Sequence, residues 1–397
     1  MKKIMILGAS ILQVPAIKKA IEMGLTVIAV DMNPDAVGFE VKGVIKEVIS
    51  TIDTPAILEC AKKHRIDGIM TLASDMPMRS VAVVSNELSL VGIDEETALK
   101  ATNKAYMRDA LRSANVPIPM YFRIHGEEDF ISAVHKIWNS GNKCIIKPAD
   151  NSGSRGVDLL DEDSDLNEAY KYTVQYSRSG EIVVEEFMEG PEVSVETLAI
   201  NGMINVIQIT DKLTTGAPYF VEMGHSQPSQ LNEQVKQKIA DAAIAANKAI
   251  GIMNGPSHVE IKVTKNGPKI VELGARLGGD CITTHLVPLS TGIDMVEATI
   301  KISLGEKPDI SPKWKKGSAI RYLDPGKGLI QKIDGLNDIK NIPEIMQVSI
   351  VHGVGETLKE IQSSVDRAGF VIAQAQTVSE AIEKAEEGKK RIEFLVG

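Results

Sequence analysis

The sequence predicts an α/β protein of several domains, on three observations. A buried apolar run at 4–7 precedes a Gly-containing turn, a helical segment near 14–23 and a second strand at 26–30, and this order predicts a parallel sheet with right-handed crossovers. Asn-Gly separates two alternating runs at 257–263 and 269–273, which predicts an antiparallel hairpin. The length of 397 residues suffices for two to four domains and a large core.

The first part of the chain continues the alternation of strands and helices. Helical spacing of apolar residues predicts helices near 54–63 and 77–88, with a strand at 67–72 between them. We therefore expect a first α/β domain at 1–100. A polar helix and a Pro-containing linker follow at 101–119.

The rest of the chain is predicted to form three more parts. Residues 120–184 alternate between strands and helices around a Gly/Ser loop, as a small α/β module would. Residues 185–310 contain alternating strands, a helix over 231–250 and the Asn-Gly hairpin. Residues 311–397 contain short strands, Gly-rich turns and a charged helix near 378–389.

Composition excludes several classes of protein. Hydrophobic content of 43% and charged content of 24% are ordinary for a soluble globular protein. No apolar run reaches the roughly 18 residues that span a bilayer, and the start leads straight into a strand, so we expect neither a signal peptide nor a membrane partner. Cys60, Cys144 and Cys281 fit no zinc or redox spacing, which favours the cytoplasm. A net charge of −9 argues against a nucleic-acid partner.

The hairpin is predicted to place two carboxylates face to face. With 265–267 as a three-residue loop, Glu260 falls opposite Glu272, whereas a two-residue loop would shift the pairing by one residue. Opposed like charges destabilise a sheet and call for a cation, and oxygen ligands suit Mg²⁺ or Mn²⁺. Two solvated glutamates on an open face are the alternative.

A loop at 147–157 has the composition of an anion site. Its small residues let backbone N–H groups converge on a phosphate, and Lys147 lies on the strand that enters it. It is not a Walker loop, because the Gly-Lys-Ser/Thr end is missing. A flexible surface hairpin is the alternative interpretation.

The first turn, at Gly8, is a weak match to a nicotinamide dinucleotide site. Ser10 and Gln13 replace the second and third glycines of that motif, and only Asp31 at the end of the second strand fits it.

Together these segments carry a resemblance to a known family. The residues that carry it are Lys104, Lys147 with its Ser/Gly loop, the segment 185–192, Glu260 and Glu272. Their order and spacing resemble those of the ATP-grasp superfamily, which includes biotin carboxylase, carbamoyl-phosphate synthetase and D-alanine–D-alanine ligase. The similarity covers nearly the whole chain.

The resemblance implies an α/β fold of the ATP-grasp type. Domain 1–100 would be a Rossmann-like parallel-sheet domain, 120–184 a small α/β lid that closes over ATP, and 185–310 the catalytic subdomain. Residues 311–397 would complete the ligase core as part of a mixed-sheet C-terminal domain. Many relatives are homodimers, so a homodimer is a further expectation.

The resemblance also assigns site residues. It assigns ATP contacts to Lys104, Lys147, Ser152, Gly153, Ser154, Glu185, Met188 and Glu192. The lysines would contact phosphates, the Ser/Gly backbone would close over the β- and γ-phosphates, the main chain of Glu185 and Met188 would meet the adenine edge, and Glu192 would bind the ribose. Glu260 and Glu272 would hold Mg²⁺ (or Mn²⁺).

The segment 272–279 resembles one branch of the superfamily. Many members place Asn two residues after the second Glu, whereas this chain has Gly274. The form Glu-x-Gly-Ala-Arg-x-Gly-Gly is similar to that of bacterial L-amino-acid ligases, which form dipeptides. Arg276 would then act with Lys147 as a catalytic residue that stabilises the transferred phosphoryl group. A structural salt bridge is the alternative for Arg276.

Three side chains are candidates for substrate contact, and these are His225, His258 and Arg276. His225 follows a Gly-containing loop, and His258 alternates onto the face of Glu260. For both histidines a purely structural role is the alternative. Asp75 ends a first-domain strand at the edge where α/β sheets bind ligands, so it is a weaker candidate.

The resemblance implies an ATP-dependent carboxylate–amine ligase. Small-molecule carboxylate and amine substrates, one of them an amino acid, would be joined through an acyl-phosphate, with release of ADP and phosphate. A purine-biosynthesis-type enzyme that uses bicarbonate or formate is one alternative. A non-catalytic ATP-binding module is another, because Gly274 replaces the usual Asn.

Overall fold

The computed structural model describes residues 1–151, 153, 155–339 and 341–397. Its first sheet is parallel and has the order β3-β2-β1-β4. The elements of this part are β1 (Lys3–Leu7), α1 (Val14–Glu22), β2 (Thr26–Asp31), β3 (Val44–Val48), α2 (Thr54–His64), β4 (Gly68–Thr71), α3 (Pro77–Glu87), α4 (Glu95–Thr102) and α5 (Lys104–Ser113). The predicted parallel sheet is confirmed, but β3 was not predicted, because this edge strand lacks the apolar run of β1 and β2.

The second sheet is a small antiparallel one in the order β5-β8-β6-β7. Its elements are β5 (Tyr121–Ile124), α6 (Glu127–Trp138), β6 (Cys144–Pro148), β7 (Asp158–Leu160), α7 (Leu166–Tyr176) and β8 (Ile182–Glu186). Phe130, Ile146 and Val184 lie in a core of its own. The domain boundaries stay predictions.

The third sheet has eight strands, which are β9 (Glu192–Ile200), β10 (Met203–Thr214), β11 (Glu222–Gln227), β12 (Gly255–Thr264), β13 (Gly267–Gly274), β14 (Gly317–Leu323), β15 (Ile345–Ile350) and β16 (Gly369–Ala375). Their order in the sheet is β13-β12-β9-β10-β11-β14-β16-β15. Each of these pairings is antiparallel. The predicted α/β fold is confirmed, although the pairings within this sheet are all antiparallel and not mixed. Short turns join β9 to β10 and β12 to β13, and they set the antiparallel direction of these two pairs.

Helices cover this sheet, and a small three-stranded sheet lies at the C-terminal end. The helices are α8 (Glu233–Ile250), α9 (Val287–Thr291), α10 (Met295–Ser303), α11 (Leu336–Ile339) and α12 (Val378–Arg391). The small sheet pairs Gly328–Asp334 with Thr357–Leu358 and Glu393–Val396. Within the part of the chain that the structure describes, no helix is both long and apolar enough to traverse a bilayer.

The hairpin β12–β13 confirms one prediction and corrects another. Glu260 does pair with Glu272. The turn, however, has two residues, because Thr264 pairs with Gly267. The register shifts between Glu260 and Ile261, so that Val271 is an extra residue in a β-bulge, and this bulge restores the predicted facing of the glutamates.

Candidate active site

Two adjoining cavities lie between two sheets. One is the antiparallel sheet β5–β8 of the predicted lid, here called the lid sheet, and the other is the eight-stranded sheet, here called the large sheet. The first cavity is lined by the lid residues Ile145, Lys147 and Val157 and by the large-sheet residues Glu192 and Lys262. The second extends towards the N-terminal and C-terminal parts of the chain. Residues that line both are Gly153, Lys212, Glu222, Glu260 and Glu272.

The structure brings most of the predicted nucleotide residues and both predicted metal ligands to the first cavity. The nucleotide residues that line it are Lys104, Lys147, Gly153, Glu185, Met188 and Glu192, and the metal ligands are Glu260 and Glu272. Ser152 and Ser154 lie outside the described residues. These residues share one cavity although they come from the predicted lid, from the segment 185–192 and from the large sheet. Their contacts with a nucleotide stay predictions.

Lys147 takes part in a buried ion-pair network with a residue that the sequence did not single out for the site. Its Nζ donates to Glu185 Oε2 at 2.9 Å, and Arg108 donates to both oxygens of the same carboxylate at 2.5 and 3.0 Å. Burial would raise the pKa of the Glu185 carboxyl, but the charges of Arg108 and Lys147 outweigh it and lower that pKa to about 2. Glu185 thus anchors the lysine through its side chain.

Arg108 also ties helix α5 to the bulged strand. Its guanidinium donates to the carbonyl oxygens of Ile270 at 3.2 Å and Val271 at 2.8 Å. Strand β13 is an edge strand, so these carbonyls have no strand beyond them to bond to. Arg108 therefore satisfies the backbone next to Glu272 and holds the strand that carries it.

Lys104 is the first residue of α5, and it reaches across the cavity. The helix begins after Asn103, whose side chain accepts from the backbone N–H groups of the first turn. The Nζ of Lys104 donates to Asn151 O at 2.7 Å and to Glu272 Oε1 at 2.9 Å. The lysine thus joins the loop that begins after Lys147 to Glu272, a predicted metal ligand.

Lys212 is a central residue of the site that we did not predict. Its side chain is only 3% exposed, and its Nζ lies 2.7 Å from Glu192, 2.8 Å from Glu260 and 3.3 Å from Glu222. Burial would lower the pKa of this lysine, but the three carboxylates raise it. Within the described chain, it is the one cation among the residues that line both cavities.

The opposed glutamates fit a divalent hard cation. Glu260 and Glu272 pair across the hairpin and supply oxygen donors to both cavities. In the structure Lys212 and Lys104 neutralise them. Burial would raise the pKa of Glu260, yet Lys212 and His258 hold it well below its usual range, so the oxygens are ionised as ligation requires.

Arg276 is paired with Asp75 of the first domain. Arg276 Nε donates to Asp75 Oδ1 at 2.8 Å, and both side chains line the second cavity. Gly274 makes room for this pair, because a Cβ there would lie 2.8 Å from Asp75 Oδ1. The place where many superfamily members carry Asn is thus occupied by an ion pair from two distant segments.

His258 lies in the second cavity next to Glu260, on the face that its alternation predicted. Its Nδ1 lies 2.7 Å from Glu196 Oε1, and its Nε2 lies 3.5 Å from Glu260. Burial would lower the pKa of His258, but Glu196 outweighs this effect and raises it to about 9. Gly278 packs on the pair, since a Cβ there would lie 2.7 Å from His258 Nδ1.

His225 is also in the second cavity, and it is 1% exposed. Its Nε2 lies 3.5 Å from Asp280 Oδ2, and neither ring nitrogen has a hydrogen-bond partner among the described residues. Tyr322 packs edge-on against the ring. The histidine is therefore buried in the cavity wall with hydrogen-bonding capacity unused.

The nicotinamide alternative is disfavoured by the first turn. Asp31 accepts from the backbone N–H of Ala9 at 2.8 Å. The side chain of Gln13 lies over Gly8, where a Cβ would meet it at 2.7 Å, and donates to Leu72 O at 2.6 Å. The Asp31 carboxylate is therefore engaged by the backbone of the turn, and the Gln13 side chain fills the space above Gly8.

Comparison with protein families agrees with this geometry. Residues 140–284 match the model of the ATP-grasp domain. This match takes in somewhat more than a third of the chain and contains Lys147, Glu185, Glu260 and Glu272. Residues 321–397 match the L-amino acid ligase C-terminal domain 2.

Individual relatives are distant. The chain is 28% identical over 62% of its length to the alanine–anticapsin ligase of Bacillus subtilis (strain 168), and the match spans 56% of that protein. It is 25% identical over 79% of its length to the L-arginine-specific L-amino acid ligase of Bacillus subtilis, covering 76% of that protein. The crystal structure of L-amino acid ligase from Bacillus licheniformis shares the fold, with a TM-score of 0.85, 24% identity and coverage of 100% and 99% of the two chains.

Proposed function

We propose that the protein joins a small-molecule carboxylate to an amine in an ATP-dependent reaction through an acyl-phosphate. The observation that carries the proposal is the pair of adjoining cavities with Lys212, Glu260 and Glu272 in the wall between them. One cavity would take ATP and the other the carboxylate and the amine. The L-amino acid ligases among the relatives support an amino acid as one substrate.

The first cavity would bind ATP through residues of both sheets. Lys104 and Lys147 would contact phosphates, with the backbone of Gly153 above them. Glu192 would accept hydrogen bonds from the ribose, and the main chain at Glu185 and Met188 would meet the adenine edge. Closing this cavity would exclude water from the transferred phosphoryl group.

Catalysis would consist of positioning and charge neutralisation. A Mg²⁺ ion held by Glu260 and Glu272 would neutralise phosphate charge. Lys212 lies between the two cavities and Arg276 faces the second, so both would stabilise the phosphoryl group while the substrate carboxylate attacks. The carboxylate would attack the γ-phosphorus and ADP would leave; the amine would then attack the acyl carbon, and phosphate and a proton would leave. No covalent enzyme nucleophile is required.

A bicarbonate- or formate-using enzyme of purine biosynthesis has less support. Its ribose-phosphate substrate needs a basic pocket, and we consider Arg321, near the C-terminal turn, as a residue that could supply one. Arg321 is 5% exposed, and its Nε donates to Glu386 at 2.6 Å. The guanidinium is therefore engaged within the protein.

A cytoplasmic location and a homodimer stay predictions.

A hydroxylamine trap tests the proposed function. The protein is incubated with MgATP, hydroxylamine and pools of amino acids and other small carboxylates, and ADP and hydroxamate are measured. We expect hydroxamate with at least one pool, and its loss in the Glu272→Gln variant. ATP binding without substrate-dependent ADP release on every pool would instead favour the non-catalytic alternative.

A further inference from the structure

A strained turn forms part of the second cavity. After the two glycines at 278–279 the chain passes through Asp280, with a φ of +50°, and Cys281, with a φ of +61°. A left-handed conformation is unfavourable for a residue that carries a Cβ, because the Cβ crowds the following carbonyl oxygen. A π-helical turn, Ile282–Leu286, follows at once. Such features persist where the surroundings hold them, and they concentrate at functional sites.

The C-terminal part of the chain holds this turn in place. Arg367 donates to both carboxylate oxygens of Asp280, at 2.8 and 2.9 Å. Tyr322 donates its hydroxyl to the backbone oxygen of Asp280 at 3.2 Å. The guanidinium of Arg367 also lies 3.6 Å from the centre of the Tyr322 ring. A planar, bidentate contact of this kind fixes the orientation of the carboxylate.

The contacts of Arg367 make it a poor direct ligand for a substrate. Its Nε donates to Ser364 O at 2.8 Å, and its Nη1 donates to Glu222 O at 3.0 Å. The residue is 8% exposed and is not among those that line the second cavity. It acts on the cavity through Asp280.

The Asp280 carboxylate keeps free acceptor capacity in the cavity. Its side chain is 25% exposed, and two hydrogen bonds from Arg367 use only part of the lone pairs of a carboxylate. His225, with both ring nitrogens unpartnered among the described residues, lies 3.5 Å away. In a neutral imidazole one ring nitrogen is a hydrogen-bond acceptor, and a buried acceptor without a partner is unfavourable until a donor reaches it. An anionic carboxylate attracts an ammonium group and repels another carboxylate.

We propose that Arg367 is a positioning residue that fixes Asp280, and that Asp280 and His225 form a subsite for a substrate ammonium group. The inference rests on the proposed function, because it takes the second cavity as the substrate cavity. The ammonium group can belong to an amino acid that is activated or to the amine that accepts the acyl group. The chemistry of the subsite is the same for both.

Steady-state kinetics of the full-length Arg367→Met variant test this subsite. With hydroxylamine as acceptor, we expect the KM of an ammonium-bearing carboxylate to rise about tenfold, as for loss of one charge-assisted hydrogen bond. The KM of its des-amino analogue and the KM of ATP should change less than about twofold. If the ammonium group belongs to the acceptor, the tenfold rise appears in the KM of the amine at saturating carboxylate.

Matched variants separate this role from a general loss of structure. Arg391→Met removes an exposed arginine of the same C-terminal part and should leave every KM unchanged. If Arg367→Met does not fold, the nearly isosteric Asp280→Asn variant should give the same pattern. Equal rises for ammonium-bearing and des-amino substrates, or no change in either, would overturn the subsite alone. Failure of the wild-type protein to release ADP with any substrate would overturn the proposed function, and the subsite with it.

Discussion

Glu185 bears a charge in a place where burial opposes that charge. Its carboxylate is 1% exposed and is held between Arg108 and Lys147. Breaking a buried ion pair by removing one partner is costly, because the other charge stays buried without compensation. The position of Lys147 in the first cavity therefore depends on Glu185.

We expect the Glu185→Gln variant to lose about 3 kcal/mol of unfolding free energy at pH 7. The folded-state pKa of Glu185 is lowered from 4.5 to about 2, so its contribution is present above pH 4.5 and is lost as the pH falls towards 2. Urea titrations of both proteins should thus give curves that converge below pH 4.5. Exposed Glu162→Gln is the control, and a pH-independent difference would contradict the prediction.

Local sequence patterns point to some of the residues in the two cavities, whereas others come together only through the fold. Glu260 and Glu272 were predictable, since a short hairpin sets their facing. Lys212 was not, because its partners Glu192 and Glu260 lie 20 and 48 residues away and the lysine itself looks like any polar strand residue. Its position between the cavities is a product of strand order.

In the β12–β13 hairpin the pairing of Glu260 with Glu272 is predicted correctly, although the predicted length of the turn is wrong. A three-residue loop and a two-residue turn with a bulge at Val271 give the same pairing of Glu260 with Glu272. At the bulge, Arg108 of helix α5 donates hydrogen bonds to the carbonyl oxygens of Ile270 and Val271. A contact over more than 160 residues of sequence leaves no mark in the hairpin itself.

Gly156 lies in the loop between β6 and β7, and we predict that ATP binding depends on this glycine. Its φ is +74°, and a Cβ there would lie 2.5 Å from Tyr176 Cβ in helix α7. We expect Gly156→Ala to push the loop away from α7 and to weaken ATP binding about tenfold, measured by calorimetry. Gly141→Ala is the matched control in the lid, because its φ is +82° but no atom lies within 4 Å. Equal affinities in the two variants would refute a role for this contact.

Three strands of the large sheet direct carboxylates at Lys212, namely Glu192 of β9, Glu222 of β11 and Glu260 of β12. In the Lys212→Met variant these charges would repel each other without a cation. We expect its melting temperature to fall by several degrees in EDTA and to recover partly in millimolar Mg²⁺, since ligand binding to the folded state stabilises it. The wild-type protein should show a smaller difference between the two conditions. A variant whose melting is insensitive to Mg²⁺ would argue against a cation site at Glu260.

The second cavity is assembled from the two ends of the chain. From the N-terminal domain, Leu72 bridges to Leu277 and Ala73 donates to Leu277 O at 3.3 Å. From the C-terminal part, Arg367 reaches Asp280. The helix and strand pattern predicted the separate parts, but it could not predict how they meet, because packing between distant parts depends on three-dimensional fit and leaves no periodic signal.

Asp75 allows this assembly to be tested, because its ion pair with Arg276 joins residues 201 positions apart. Asp75→Asn keeps the shape of the side chain and removes its charge, so Arg276 should lose its fixed orientation. We expect substrate-dependent ADP release to fall roughly 10–100-fold, the range for partners that orient site residues, while ATP affinity changes less than about twofold. Exposed Asp35→Asn serves as the control in the same domain. A parallel loss of ATP affinity would mean that Asp75 supports the fold of both cavities, and the specific coupling to Arg276 would be refuted.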